Sequence, residues 1–371
     1  MDADLIYIFS GGRSEKINNN NLSPSDFFYG YLEFSKSESK TEFIELKDKK
    51  TNILDRIIIK ISKVPIYSFK ALTFQNFIKL KNSKNLIYIN ESSYFSFLPF
   101  TFFIKNIYNR KIIFFPMGLI DRFEKGNWFT KKIVSFGISV ADKIFFIGKG
   151  ELDKASRVFK KHKKKFSYLP FSVDTKFWQN NKTSSTEIIN LLFVGNDQNR
   201  KFDLVAEMCS KLPDYKFTIV SEHNFEKIEG LKNVEILKGN WRKSNISDSE
   251  MHKIYSKADL VILPIREAYQ PSGQSVAIQA MSVGTPVLIS KTHGFWDFDL
   301  FKNNENIFFT NNSIQNWTNQ IKFISKDIDL LEKVSKNAQK TIREHHEMNN
   351  FIELLKVQLN ISGTTKKISK N

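Results

Sequence analysis

The chain has 371 residues and a net charge of +17, from 56 Lys and Arg against 39 Asp and Glu. Hydrophobic residues make up 41% and charged residues 26%, a balance that excludes wholesale disorder, and the length points to about two domains. One cysteine, Cys209, excludes an intrachain disulfide and a cysteine-based metal cluster and fits a reducing compartment. The longest apolar run, 94–104, is about half of a membrane-spanning helix. The start, Met1-Asp2-Ala3-Asp4, lacks the charged-then-apolar order of a signal peptide, so the expected location is cytoplasmic.

The positive charge is unevenly placed. Residues 1–170 hold 30 basic and 16 acidic side chains, and residues 171–371 hold 26 and 23. A one-sided positive field favours an anionic partner such as a membrane surface, a nucleic acid or a polyanion. Only nine of the basic residues are Arg, and Phe, Ile, Asn and Lys are abundant throughout. A compositional bias of that kind accounts for the excess but not for its localisation.

Short apolar runs alternate with helical-period stretches, the pattern of a parallel sheet with crossover helices. Leu5–Phe9 reads as the first strand and ends at Ser10-Gly11-Gly12-Arg13. A helix is expected next, with Ser23 as its N-cap and Pro24 in its first position. Strands follow at 42–46, 86–90, 111–115, 143–147 and 166–170, with helices at 69–82, 94–108, 128–141 and 150–161. The polar stretch Gln179–Glu187 breaks the pattern. A second alternation has strands at 188–194, 216–220, 233–237, 259–263, 286–290 and 306–309. Its helices are expected at 201–211, 248–256, 274–283, 313–325 and 327–345, and the Lys- and Ser-rich end, 361–371, reads as a tail. Ligands of such sheets bind at the carboxyl ends of the strands, so a cleft between two domains is the default site.

The most informative stretch runs from Pro264 to Met281. A buried strand precedes it, and its turn, Gln270-Pro271-Ser272-Gly273, leads into a helix of small residues, Gln274-Ser275-Val276-Ala277. Such a turn presents free backbone N–H groups at the positive end of a helix, an arrangement suited to a diphosphate and also found in ordinary crossover turns. The helix closes at Gly284, with Pro286 just beyond.

These residues resemble the signature of the family-four, or group 1, glycosyltransferases of the GT-B fold. Gln270-Pro271-Ser272-Gly273 stands where that family has Glu-Pro-Phe-Gly, Gln279-Ala280-Met281 where it has Glu-Ala-Met, and Gly284-Thr285-Pro286-Val287 matches outright. Both family acids are therefore Gln here, and the spacing is one residue longer. Gln279 still accepts a ribose hydroxyl but without charge. Glu267, three residues earlier, is a candidate replacement for the first acid. Phe193-Val194-Gly195-Asn196 resembles the strand and Gly-Arg that open the family's second domain, with Asn196 at the Arg position and Lys201 at the Lys position. Arg200 adjoins it as a substitute guanidinium. A cation here would stabilise the leaving diphosphate. Pro170–Trp178 resembles the interdomain crossover, with Asp174 in a structural role.

In the first domain, Gly11-Gly12 resembles the family's Gly-rich turn. Pro116-Met117-Gly118 follows a middle strand, with Met117 where many members place a His. Asp121 is a candidate for the missing proton-transfer group or a helix cap.

The resemblance implies an α/β, GT-B architecture of two Rossmann-like doubly wound domains facing a central cleft. The N-terminal acceptor domain would span 1–172, a linker 173–187, the nucleotide-sugar domain 188–345, a helix crossing back 346–360 and the tail 361–371. It implies a retaining glycosyltransferase acting on a saccharide or lipid-linked acceptor in surface polysaccharide or glycolipid synthesis, peripheral on the inner membrane face. Catalysis would fall to Lys201, Arg200 and Asp121. Donor binding would use Gly195, Asn196, Glu267, Gln270, Ser272, Gly273, Gln274, Ser275 and Gln279, and acceptor binding Gly11, Gly12, Met117 and Gly118. No cofactor or metal is implied, because the nucleotide-sugar is a substrate. The basic first domain implies an anionic membrane surface as a partner, and no nucleic acid is expected.

Three other readings stand beside this one. They are a catalytically silent GT-B protein serving as a binding or partner subunit, a basic nucleic-acid-binding protein, and a nucleotide-sugar epimerase of the same fold.

Asp297-Phe298-Asp299 and Asp2-Ala3-Asp4 resemble metal-binding Asp pairs but follow no suitable strand. Lys160–Lys165 reads as a solvated helix end, and His293–Trp296 as a packed aromatic turn. Asn127–Phe136 mixes aromatics and Lys as an interfacial helix does.

Overall fold

A computed structural model describes residues 3–18, 23–37, 39–46, 51–179, 190–240 and 245–359. Twelve strands form two separate six-stranded sheets. In the first half these are β1 (Ala3–Ser10), β2 (Thr41–Leu46), β3 (Ser83–Ile89), β4 (Lys111–Phe115), β5 (Lys143–Phe146) and β6 (Phe166–Tyr168). In the second half they are β7 (Asn190–Val194), β8 (Lys216–Val220), β9 (Val234–Leu237), β10 (Leu260–Leu263), β11 (Val287–Ser290) and β12 (Phe308–Thr310).

All neighbouring strands pair in parallel. Parallel strands are covered on both faces, which is why their sequences are near-continuous Ile, Leu, Val and Phe. The orders are β2-β1-β3-β4-β5-β6 and β12-β11-β10-β7-β8-β9. Read within its own half, the second is the 3-2-1-4-5-6 order of a doubly wound dinucleotide-type sheet. Both sheets place their topological switch beside their first strand, so both cleft-side crevices open next to β1 and β7.

Every expected strand is present. The helices differ in several places, among them the unexpected short helices Ser14–Asn18 and Leu119–Lys125. The helix expected after Ser23 is replaced by a 3-10 turn, Asp26–Phe28, and a short helix, Tyr31–Ser35. The left-handed backbone of Tyr29 (φ 51°) and Gly30 (φ 86°) separates them. The helix expected over 69–82 breaks at Leu72, and Thr73 caps a new one, Phe74–Lys81, by accepting from the Asn76 N–H. Residues 53–62, unassigned in sequence, form a helix. Residues 180–187 of the expected linker and the expected tail 361–371 lie outside the described residues, as does Asp2.

Two stretches of chain pass between the halves, and they meet. The Val173 N–H donates to the His346 carbonyl at 2.8 Å, and the Met348 N–H donates to the Val173 carbonyl at 3.1 Å. His346 is fully buried there rather than sitting at an exposed helix end. One ring nitrogen bonds the Phe171 carbonyl, and burial holds the imidazole down to about 4. The helix Met348–Leu359 then lies against the first half, where Phe351 meets Tyr29 and Phe115.

The run Lys160–Lys165 forms a 3-10 turn with no buried residue. Its Lys165 ammonium donates to the carbonyls of Ile138, Ser139 and Ala141 at the end of the helix Trp128–Val140, the placement a helix dipole favours.

Candidate active site

The site is built where the two sheets face each other. Two adjoining cavities, of about 330 and 260 Å³, share Phe27, Asp197, Arg200 and Ser275 in their linings. The larger is walled mainly by the second half, with Val194, Val220, Ile246, Met251 and Val276 giving it an apolar side. The smaller lies between the halves. Ser10, Arg13, Asn90 and Met117 face the turn Gln270–Ser275 across it.

Arg200 sits at the junction. It is buried, and the lack of a side chain on Gly195 makes room for it, since a Cβ there would lie 2.4 Å from the Arg200 Nε. Its Nη1 is 3.1 Å from Asp197 Oδ2, and its Nε donates to the Val194 carbonyl at 3.4 Å. Burial lowers its pKa, and Asp197 opposes that shift. A buried guanidinium facing two cavities has the charge and forked N–H donors that suit an anion such as phosphate.

Lys201 faces elsewhere. Its N–H bonds the Pro264 carbonyl, and its ammonium reaches the Asn312 carbonyl at 3.3 Å, so it lines neither cavity. Arg200 bridges Ile265, while Lys201 leaves that bridge as the N-cap of the helix Phe202–Lys211 and is tied to Pro264 and Asn312.

The turn before the helix Gln274–Val283 is held from several sides. Gly273 takes a left-handed φ of 82°, which favours glycine. Asn199 donates to Ser272 Oγ at 2.8 Å and to Gln270 Oε1 at 3.1 Å. Gln274 donates to the Ile147 carbonyl of the first half at 2.9 Å. Ser275 remains on both cavities, at the positive end of that helix.

Gln279 lines the larger cavity, and its carboxamide is committed. Its Nε2 donates to Asp26 Oδ2 at 2.8 Å, and its Oε1 accepts from the Tyr255 hydroxyl at 3.3 Å. Asp26, from the first half, also accepts from the Trp178 indole at 2.6 Å and the Asp174 N–H at 2.6 Å. Burial pushes its carboxyl up to about 7, against the pull of these three bonds. A glutamate at 279 would set a second carboxylate against this one, so the glutamine follows from its neighbour.

Several expected residues play supporting parts. Asn196 holds the loop after β7, donating to the Gly239 carbonyl at 2.8 Å and accepting from the Glu222 N–H at 2.5 Å. Glu267 is exposed and pairs with His293 at 3.0 Å, away from both cavities, so it does not replace the first family acid. Gly11 and Gly12 present their neighbours Ser10 and Arg13 to the smaller cavity, and Glu45 takes the backbone N–H groups of Arg13 and Ser14. Gly118, at φ 109°, lies against Gln270, where a Cβ would meet its Oε1 at 2.7 Å.

Asp121 is a brace. Its Oδ2 accepts from the N–H groups of Tyr269 at 2.9 Å and Gln270 at 2.7 Å, tying the first half to the turn of the second. Asp121→Ala should raise KM for both substrates more than it lowers kcat, because it loosens the turn without touching the reacting atoms; a matched initial-rate series for the two enzymes measures this. Asp297 and Asp299 both pair with Lys149, at 2.8 and 2.9 Å, and His293–Trp296 packs as an aromatic turn. Among the described residues, no group of three His, Cys, Asp or Glu is placed to hold a metal ion.

Residues 174–341 match the family model for glycosyl transferases group 1. The second half is thus similar to a group 1 glycosyl transferase domain over 168 of the 371 residues. No curated protein sequence matches the chain. HepE from Anabaena, solved in complex with UDP, superposes with a TM-score of 0.69 at 12% identity, over 96% of this chain and 99% of that one. Sucrose-phosphate synthase from Thermosynechococcus elongatus gives 0.65 at 14%, over 97% and 100%. A glycosyltransferase from Rickettsia africae gives 0.64 at 14%, over 98% and 100%. At these identities the likeness establishes the GT-B fold across both halves.

Sequence reasoning about the site missed Asp26, Asn199, Arg13 and Asn90. Asn199 carried a local signal, as a polar residue beside Arg200 in the loop after β7. Asp26 carried none, because its partners lie far along the chain.

Proposed function

We propose that the protein transfers a sugar from a nucleotide-sugar to a hydroxyl of a saccharide or lipid-linked acceptor, with retention, in the synthesis of surface polysaccharide or glycolipid. The observation that carries this reading is the pair of adjoining cavities with Arg200 at their junction, opposite the helix end at Ser275. The larger cavity suits the nucleoside, with its apolar wall for the base and the second lone pair of the Gln279 carbonyl oxygen, beside the one that Tyr255 uses, for a ribose hydroxyl. The diphosphate would lie at the junction, between the guanidinium and the helix N-terminus. HepE is similar in fold and has been solved with UDP-glucose, which favours a uridine nucleotide as the first donor to try.

The sugar would occupy the smaller cavity. The bond from its anomeric carbon to the diphosphate breaks, and the electron pair leaves with the phosphate oxygen. Arg200 and the helix end stabilise that growing charge, so the reaction is proposed to need no metal. The acceptor hydroxyl enters from the side of Ser10, Arg13, Asn90 and Met117. Asp197 is the one carboxylate in this cavity's lining, and it pairs with Arg200. The departing phosphate oxygen is then the nearest base for the hydroxyl proton, and attack from its face gives retention.

A panel of nucleotide-sugars tests the reading by thermal shift and by release of free sugar. One donor should raise the melting temperature and be slowly hydrolysed. No shift with any donor would remove the phosphate site. Lys201→Ala should cost less than about tenfold in kcat, because the ammonium is directed to Asn312. A loss as large as that of the Arg200 variant described below would return Lys201 to the reaction centre.

A further inference from the structure

The outer helices of the first half carry an unusual surface. The helix Ile53–Ser62 is inverted: its buried residues are Asp55 and Ser62, while Ile53, Leu54, Ile57 and Ile61 are exposed. The inward carboxylate is satisfied, because Asp55 accepts from the Ser68 N–H at 3.1 Å, the Phe69 N–H at 3.3 Å and the Ser68 hydroxyl. The orientation is therefore built in; Ile58 and Ile59 are half-buried, and Ile53, Leu54, Ile57 and Ile61 are left in the open.

Neighbouring helices extend the patch. Asn127, which caps the helix Trp128–Val140, donates to the Ile61 carbonyl at 2.7 Å, and Thr130 donates to the Ser62 carbonyl at 2.5 Å. Trp128 is 71% exposed. On the same helix Phe136 meets Phe102 of the helix Glu91–Tyr108, with ring centroids 5.4 Å apart. Phe103 in turn meets Phe77, and Phe74 at the start of that helix is 79% exposed. An apolar surface spread over four elements is more than a soluble protein ordinarily leaves uncovered.

The charge around it has one sign. Residues 51–140 contain fourteen Lys and Arg and four acids, and two of those acids, Asp55 and Glu91, are buried. Lys132 lies 5.8 Å from the Trp128 ring, the pairing of a membrane-interface anchor. No described helix is long and apolar enough to cross a membrane. Apolar side chains among lysines match a surface that is hydrocarbon beneath and anionic above.

We propose that this face, centred on the helix Ile53–Ser62 and Trp128, docks on an anionic lipid bilayer. It also carries a route to the cleft. The helix Leu119–Lys125 begins at Met117-Gly118 beside the smaller cavity, and its Arg122 bonds the Lys63 carbonyl at the edge of the patch. A lipid-anchored acceptor would thus present its hydroxyl near the cavity while its chain stays in the bilayer. That last point rests on the glycosyl-transfer reading; the docking itself does not.

Cosedimentation of the full chain with vesicles of phosphatidylcholine alone, or mixed with phosphatidylglycerol, tests it. Binding is expected to the anionic vesicles, with a blue shift of Trp128 emission that is absent in Trp128→Phe. Partitioning should fall about tenfold or more in Ile57→Asp with Ile61→Asp, and raised salt should weaken the wild type. The donor-induced thermal shift, measured on the same double variant, should be unchanged, which separates a failed docking face from a failed donor site. Equal binding by the double variant would overturn the proposal. So would no binding at low salt, or a dimer in solution that shields Trp128.

Discussion

Arg200→Ala is expected to lower kcat by about 10²–10³-fold with little change in KM for the acceptor, because charge that builds on the departing diphosphate loses its buried counter-ion. Arg200→Lys should recover only part of this. An ammonium keeps the charge but not the planar fork that spans two phosphate oxygens. The side chain is packed against Gly195, so a melting curve of each variant must accompany the kinetics. A loss of less than about tenfold in a folded Arg200→Ala protein would place the leaving group elsewhere.

Asp26→Ala should be the most destabilising single change in the cleft. It leaves the Trp178 indole, the Gln279 carboxamide and the Asp174 N–H without their acceptor. Buried donors stranded in this way cost about 1–3 kcal/mol each, so a loss of about 3–5 kcal/mol is expected after the relief of a desolvated carboxyl. Chemical denaturation measures it.

The pH dependence gives a second, independent readout. The folded carboxyl is raised to about 7, so between the unfolded value of 3.8 and 7 the native state holds a proton that the unfolded chain releases. That contribution is fully present below 3.8 and is lost as pH rises through 7. The stability difference between the wild type and Asp26→Asn should therefore drift by a few kcal/mol across this window and be flat above it. Glu151, buried beneath Gly118 and Ile120 and pushed up to about 8, acts in the same direction over a higher range. His346, held down to about 4, acts oppositely and loses stability as pH falls from about 6.5. A wild-type minus Asp26→Asn difference that does not change with pH would show that the carboxyl is ionised throughout.

The strands were legible because parallel strands buried on both faces need uninterrupted apolar runs, and runs such as Leu260–Leu263 admit little else. The helix Ile53–Ser62 carries a readable helical period in Ile53, Leu54, Ile57, Ile58 and Ile61; what the sequence hid is that most of this stripe faces outward while Asp55 faces inward. At the site, the turn Gln270–Ser275 and the loop after β7 could be located from local residues. What could not be read was which of two adjacent cations faces the cavity, since contacts with Ile265, Pro264 and Asn312, far along the chain, go with it. Asp26 was hidden by distance: its partners lie 148, 152 and 253 residues further on. Gln279 looked like a weakened family position when read alone. Beside a buried carboxyl it is the side chain that can both donate and accept.

The meeting of the two chain crossings at Val173 and His346 has a mechanical consequence. Where the two connections meet is the point about which the halves would swing apart, as a door does on its post. The bonds of Asp121 to Tyr269 and Gln270, and of Gln274 to Ile147, are then part of the latch, with that of Gln279 to Asp26. Two of the first three bonds end on the turn Gln270–Ser275 that lines the smaller cavity, and the third ends on Tyr269 just before it. Opening the door to admit a substrate and taking apart the floor beneath it are thus the same movement.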